Sequence, residues 1–251
     1  MRWLRWGLLI LLLLLFGPLM TVINGTVDVT RDWGTASRES AGLAPDPVET
    51  REAVIQVYAA RASGWRGAFA VHSWIAVKPT DAPTYTVYQM VGWRDHVHHG
   101  LPNLVGTTDV PDPYWFGNRP ELLAELRGDG VNQVIQRIEQ AVRAYPYVDQ
   151  YRLWPGPNSN TFTAFIGRRV PELALDLPPT AIGKDYLADG AIFAPSPSGT
   201  GFQVSLLGLL GVLVGRREGL EVNVLSLIIG IDPLAPALKL PGLGRIGPAR
   251  R

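Results

Sequence analysis

The chain has 251 residues, 47% of them hydrophobic, enough apolar material for one large core or two small ones and too much for a disordered chain. Lys+Arg 23 against Asp+Glu 22 leaves a formal net charge of +1, which excludes the broad basic surface of a duplex-binding protein, and no nucleic-acid partner is expected. Cysteine is absent, so disulfides, thiolate metal sites and a cysteine nucleophile are excluded as well.

Arg2 and Arg5 precede an uncharged stretch from Gly7 to Ile23, within which Leu11 to Leu15 is pure leucine. As a helix this stretch is about 25 Å long at 1.5 Å per residue, close to the hydrocarbon thickness of a bilayer, and Leu4 and Trp6 extend it. Ile23-Asn24-Gly25 is a poor signal-peptide cleavage pattern. Residues 1–25 are therefore expected to stay on the protein as a single-pass anchor. Positive charge on the short amino side predicts a cytoplasmic amino end and an exported remainder. Residues 26–50, rich in Asp, Arg, Ser, Gly and Pro, read as a linker, and residues 51–251 as one exported globular domain.

The domain opens with strand signals. Val54, Gln56, Val57 and Tyr58 form a β-branched and aromatic run, and Gly64-Trp65-Arg66-Gly67 makes a turn. Ala68 to Val77 alternates, with Phe69, Val71, Ser73, Ile75 and Val77 on one face and Ala70, His72, Trp74 and Ala76 on the other. Tyr85 to Trp93 is a third strand, and the short connections argue for an antiparallel sheet. Arg94 to Phe116 reads as a long irregular loop. Its Asp95-His96-Val97-His98-His99 has ligand residue types, but the spacing fits no defined site, so no metal and no cofactor is expected. Pro120 to Arg127 reads as a short helix, and Val131 to Ala144 as a longer one with Val134, Ile135, Ile138 and Val142 as its apolar stripe.

Trp154-Pro155-Gly156-Pro157-Asn158-Ser159-Asn160-Thr161-Phe162-Thr163-Ala164-Phe165 is a stiff turn feeding a capped helix. Ser159 falls at the helix N-terminus, where a developing negative charge is favoured; the same pattern also describes an ordinary helix start. Arg168-Arg169 and Pro171 end that helix, and Leu173 to Pro195 is loop-rich. Gly201 to Gly215 is apolar but short and glycine-interrupted, so it reads as a strand of a hydrophobic hairpin. Arg216 to Gly219 is the turn and Leu220 to Ile231 the return strand. Such a hairpin buries a large face or approaches the membrane surface. Leu240 to Arg251 reads as a tail.

His72 on an early strand and Ser159 at a helix start are the candidate base and nucleophile, since a serine hydroxyl needs a neighbouring imidazole to take its proton. Gln89 is a candidate to orient the imidazole, with Tyr88 or Asn158 as alternatives that spacing does not separate. Asn158, Asn160 and Trp74 flank the pair and are the candidate binding residues.

Val71-His72-Ser73-Trp74-Ile75-Ala76-Val77, followed by Asn158-Ser159-Asn160-Thr161-Phe162-Thr163, resembles the His-first, nucleophile-second order of the circularly permuted papain-like superfamily. That group includes NlpC/P60-type peptidases, lecithin retinol acyltransferase-like proteins and desumoylating isopeptidases. The resemblance implies an α+β fold, a small antiparallel sheet packed on helices, with His72 as base and Ser159 at the nucleophile position. The hydrophobic β-hairpin and the N-terminal transmembrane helix are added to it. This chain has Ser159 where those families have Cys. The chain also resembles, over nearly its whole length, a bacterial membrane-anchored family of unknown function. That likeness lies in Pro155-Gly156-Pro157-Asn158-Ser159-Asn160-Thr161-Phe162, in Pro178-Pro179-Thr180-Ala181-Ile182-Gly183-Lys184-Asp185-Tyr186 and in the late hairpin. It implies the bacterial inner membrane, with the globular domain on the periplasmic side. Two functions follow as expectations. One is non-catalytic binding of a cell-wall glycan, peptide, lipid or protein partner in the groove; the other is a Ser/His hydrolase or acyltransferase acting on envelope amide or ester bonds.

Overall fold

The computed structural model describes residues 2–30, 34–94 and 101–248. It is an α+β architecture of two antiparallel sheets and three α-helices among the described residues, one of them the apolar N-terminal helix. Helix α1 (Arg2–Ile23) is the only helix among them long and apolar enough to cross a membrane.

The first sheet has the order β4-β3-β2-β1-β5, from β1 (Val54–Arg61), β2 (Val71–Lys78), β3 (Thr86–Met90), β4 (Leu104–Thr108) and β5 (Glu121–Arg127). Two-residue alternation sorts its side chains. Ile55, Val57, Ile75 and Val77 face α2 (Val131–Arg143) and α3 (Ser159–Arg169), where Ile138, Phe162 and Ile166 complete a core. Val54, Tyr58, Trp74, Ala76 and Val87 face the other way and form a second core.

No helix covers that second face among the described residues. Part of the predicted linker does, with Leu43 and Ala44 packed on the cluster beside Trp115. The Asp112 carboxylate fixes this segment by accepting from the Ser40 hydroxyl at 2.7 Å and the Ala44 N–H at 3.1 Å. Residues 40–44 thus behave as part of the fold.

Residues 120–127, expected to be a short helix with Pro120 near its first turn, instead supply β5 (Glu121–Arg127). Strand β1 is buried, so its outer row of N–H and C=O groups needs a partner, and that demand overrides a weak helix propensity. Gln56 also donates to Glu125 across the pair at 2.6 Å. The expected loop 94–116 contains β4 as well.

The expected late hairpin is part of a seven-stranded meander: β6 (Phe193–Pro195), β7 (Gly201–Leu206), β8 (Leu210–Gly215), β9 (Gly219–Val224), β10 (Leu227–Asp232), β11 (Ala237–Leu240) and β12 (Gly244–Ile246). Each apolar run splits in two because unexpected residues make the turns. Leu207 (φ 53°) and Gly208 (φ 72°) end the first run, and Leu225 (φ 54°) with Ser226 (φ 67°) turns the second with both central residues left-handed, as a two-residue hairpin loop requires. The predicted tail supplies β12 and the turn Pro241–Leu243.

The polarity of this second sheet is inverted. Gln203, Ser205, Glu221, Asn223 and Lys239 are buried against the first unit, whereas Phe202, Val204, Val212, Val214, Leu220 and Val222 point outward and are exposed.

Candidate functional site

The start of α3 is tied down by side-chain amides. Asn158 Oδ1 accepts the N–H groups of Asn160 (3.0 Å) and Thr161 (3.2 Å), and the Thr161 hydroxyl accepts the Asn158 N–H at 3.1 Å, completing a capping box. Asn158 Nδ2 donates to the carbonyls of Leu153 (3.2 Å) and Ile182 (3.1 Å). Asn160 Nδ2 donates to those of Val71 (2.9 Å) and Ile182 (2.8 Å). Thr161 donates to the Gly183 carbonyl at 2.8 Å. Gly183 sits at φ +97°, and a Cβ there would lie 2.4 Å from the Asn158 amide, so only glycine fits this approach. The two motifs singled out in the sequence are therefore two halves of one clasp.

Ser159 is buried at the first turn of α3. Burial holds the Tyr151 phenol above its ordinary pKa, against the opposing effect of Ser159. The neighbouring strand meets α3 through Ser73, whose hydroxyl lies 2.9 Å from both Asn160 Oδ1 and Thr163 Oγ1.

His72 looks the other way. Its ring stacks on Trp115 at 3.7 Å between centroids and on Trp74 at 5.9 Å, and its Nε2 lies 3.0 Å from Gln89 Oε1. Burial lowers its pKa to about 4, against the opposing effect of the Gln89 bond, so the ring is neutral at pH 7. A neutral imidazole facing an amide oxygen donates to it, which assigns the ring proton to Nε2.

Of the predicted residues, the fold brings His72, Gln89 and Trp74 onto one face of the first sheet. Ser159, Asn158 and Asn160 stand on the opposite face with α3. The reason is the strand period of two: Ser73 points at α3, so His72 cannot. His72 and Ser159 do not form a pair across the sheet. Asn158 and Asn160 are buried and committed to backbone groups, and Trp74 is buried with its Nε1–H on the Pro111 carbonyl at 2.8 Å. Asp95 to His99 lie outside the described residues. Among those described, no cluster of His, Cys, Asp and Glu could hold a metal.

Two groups of residues escaped the sequence reading. The first is an aromatic shelf continuing the His72 stack to the surface: Trp93 lies 5.7 Å from Trp115, and Phe116 meets both edge-on at 5.6 and 5.1 Å. Trp93 is 45% exposed, and the Arg38 guanidinium caps Phe116 at 4.6 Å. Trp115 and Phe116 sat in a stretch read as irregular, and no periodicity marks them.

The second group is a buried ion network joining the two sheets. Glu221 bridges Lys184 and Lys239, and Lys239 also reaches Asp176 at 2.8 Å. Burial disfavours the charges, but the Glu221, Asp185 and Asp176 carboxylates outweigh it and raise the Lys184 pKa, while the two lysines lower that of Glu221. Arg168, expected only at a helix end, is drawn into the same junction, donating to the Lys184 carbonyl at 2.9 Å; burial lowers its pKa to about 10. A polar depression of about 380 Å³, lined by Arg51, Asp81 and Asn132, lies at the opposite end of β1 from His72 and contains none of the predicted site residues.

No curated protein and no solved structure matches the chain. The family described as "Protein of unknown function (DUF3750)" matches residues 52–186, from the start of β1 through the Pro178–Tyr186 half of the clasp, and stops short of the inverted sheet. By that match over more than half its length, the chain belongs to the DUF3750 family.

Proposed function

We propose that this chain is a membrane-anchored, non-catalytic binding protein of the bacterial cell envelope. In this reading α1 is the anchor, the rest of the chain lies on the extracytoplasmic side, and the shelf of Trp93, Trp115 and Phe116 receives an envelope glycan. The observation that carries it is the aromatic stack, in which an exposed indole is backed by a second indole and by a neutral imidazole fixed by Gln89. Flat, rigid rings with one face open offer a large contact area at little entropic cost, which suits the apolar face of a sugar ring. Arg38 at the edge supplies hydrogen-bond donors for hydroxyls.

A Ser/His hydrolase requires the nucleophile within hydrogen-bond reach of its base. The strand alternation that turns His72 and Ser73 to opposite faces argues against that alternative, as do the structural bonds that occupy Asn158 and Asn160. The test is calorimetric titration of the full chain in detergent with soluble peptidoglycan fragments, using the free stem peptide as the comparison. Binding of the saccharide-containing fragments that weakens about tenfold in Trp93→Ala, on the order of 1.4 kcal/mol, is expected. Equal binding by the stem peptide alone, or saccharide binding indifferent to Trp93→Ala, would replace this reading with another ligand or another site.

A further inference from the structure

We propose that the outward face of the C-terminal sheet is a lipid-docking surface, seated in the acyl-chain layer of the membrane beside α1. It rests on the reading of α1 as an anchor, and three observations support it.

The first is composition. On β7 to β10 every outward side chain is Phe, Val, Leu or Ile, in cross-strand rows such as Phe202–Val214–Leu220 and Val204–Val212–Val222. Phe202 is 61% and Val214 57% exposed. Protein–protein interfaces mix apolar with polar groups and carry a polar rim, with only about 56–65% apolar area. An uninterrupted apolar band is what the lipid-facing side of a membrane β-structure presents. The reversed alternation, with Glu221, Asn223 and Lys239 inside, is the opposite of a sheet with one face in water.

The second is position. Leu14, Gly17, Pro18 and Thr21, at helical spacing on α1, are buried against the protein, whereas most of the other described side chains of α1 are exposed. Gly17 meets the Pro241 carbonyl and the Leu243 side chain so closely that a Cβ would lie 1.9 Å from that oxygen, and Gly242 packs on Pro18 in return. Gly17 is six residues before the end of α1 at Ile23, which is about 9 Å along the axis. The β11–β12 turn is thereby held roughly 9 Å inside the apolar segment, where the alternative to lipid contact would be an apolar sheet facing water at the bilayer surface. A second copy of the chain would not explain that depth.

The third is the surround. The turn Gly64–Ala68 packs beside α1 at Gly242. It carries Trp65, 62% exposed, with the Arg66 guanidinium 5.4 Å over its ring. An exposed Trp with an Arg is the residue pair of a headgroup boundary. Strands β6 to β12 have three to six residues, against the roughly 9–11 a spanning strand needs, so the sheet enters one leaflet and does not cross.

The absence of native cysteine permits a direct test. Val212→Cys and Val222→Cys on the sheet, Leu19→Cys on α1 and Val48→Cys on the exposed linker would each be labelled with an environment-sensitive nitrobenzoxadiazole probe. The full-length protein would be reconstituted in phosphatidylcholine–phosphatidylglycerol vesicles with or without acyl-chain doxyl lipid. Labels at Leu19, Val212 and Val222 are expected to lose about half their emission to doxyl lipid, and the Val48 label none. Quenching at Leu19 without quenching at Val212 and Val222 would overturn the proposal while leaving the anchor intact. No quenching at Leu19 would remove the anchor reading and the proposal with it. Sheet labels protected from doxyl lipid and from aqueous iodide but self-quenching between copies would assign the face to a second chain and overturn the lipid proposal.

Discussion

His72 and Ser73 are neighbours in β2 that belong to different halves of the molecule: the His72 ring lies 3.7 Å from that of Trp115, and the Ser73 hydroxyl lies 2.9 Å from Asn160 Oδ1 at the base of α3. One peptide unit decides that the imidazole faces the aromatic core and the hydroxyl faces the helix. A serine nucleophile served by His72 would need that alternation reversed.

Serine-directed labelling follows from this separation. Treatment of the full chain with a fluorophosphonate is expected to leave Ser159 unmodified, with the peptide mass spectrum of wild type matching that of Ser159→Ala. A Ser159 adduct abolished in His72→Ala would contradict it.

Stability should fall with acid through His72. Its folded pKa, about 4, lies below the unfolded value of 6.5. Between those values the unfolded chain takes up a proton that the folded one refuses, so stability is fully present above about pH 6.5 and declines as pH falls toward 4, by about 3 kcal/mol in all. His72→Phe keeps a ring on Trp115 and removes the titration. The stability difference between the two proteins, measured by chemical denaturation at pH 7 and pH 4.5, should therefore shrink or reverse at the lower pH.

Asn158→Ala should cost about 3 kcal/mol. It removes the cap oxygen for two N–H groups and frees two carbonyls, those of Leu153 and Ile182, in a largely buried clasp. Denaturation midpoints would measure it, and Gly183→Ala, which drives a Cβ into the same amide, should be at least comparable.

Glu221→Gln leaves Lys184 and Lys239 buried without their shared carboxylate and is expected to cost about 3–5 kcal/mol. Replacing Lys184, Glu221 and Lys239 together by apolar residues of similar volume should restore most of that loss, because the desolvation of all three charges disappears with them. Urea unfolding of the single and triple variants distinguishes the two outcomes.

Sequence patterns reached the parts of the fold that local chemistry controls. The alternation in β2 and the stripe of α2 are readable because a buried face imposes a period, and Asn158 announced the start of α3 because its side chain caps the next turn. Residues 120–127 were misread because their strand state is imposed by the open edge of β1 and not by their own preference. Leu225-Ser226 hid a turn because neither residue favours left-handed backbone. Gln89 was already a candidate partner of His72, and the two lie 3.0 Å apart; placing their face relative to α3 needed the knowledge that Ser73 is the partner of that helix. The alternation of Glu221 and Asn223 with Leu220 and Val222 was visible too; what it lacked was the identity of the buried side, which Lys184 and Asp185 of a distant loop decide by pairing with Glu221 and Asn223.

The seam between Gly17 and the Pro241–Leu243 turn also bears on proteolysis. A cut behind Ile23 would sever the chain without releasing it: the fragment from residue 24 onward would keep the socket that grips Leu14 to Thr21, together with an exposed apolar sheet. Two separate apolar surfaces would stay on the clipped protein, so under the proposed anchoring a cut behind Ile23 would not by itself free it from the membrane.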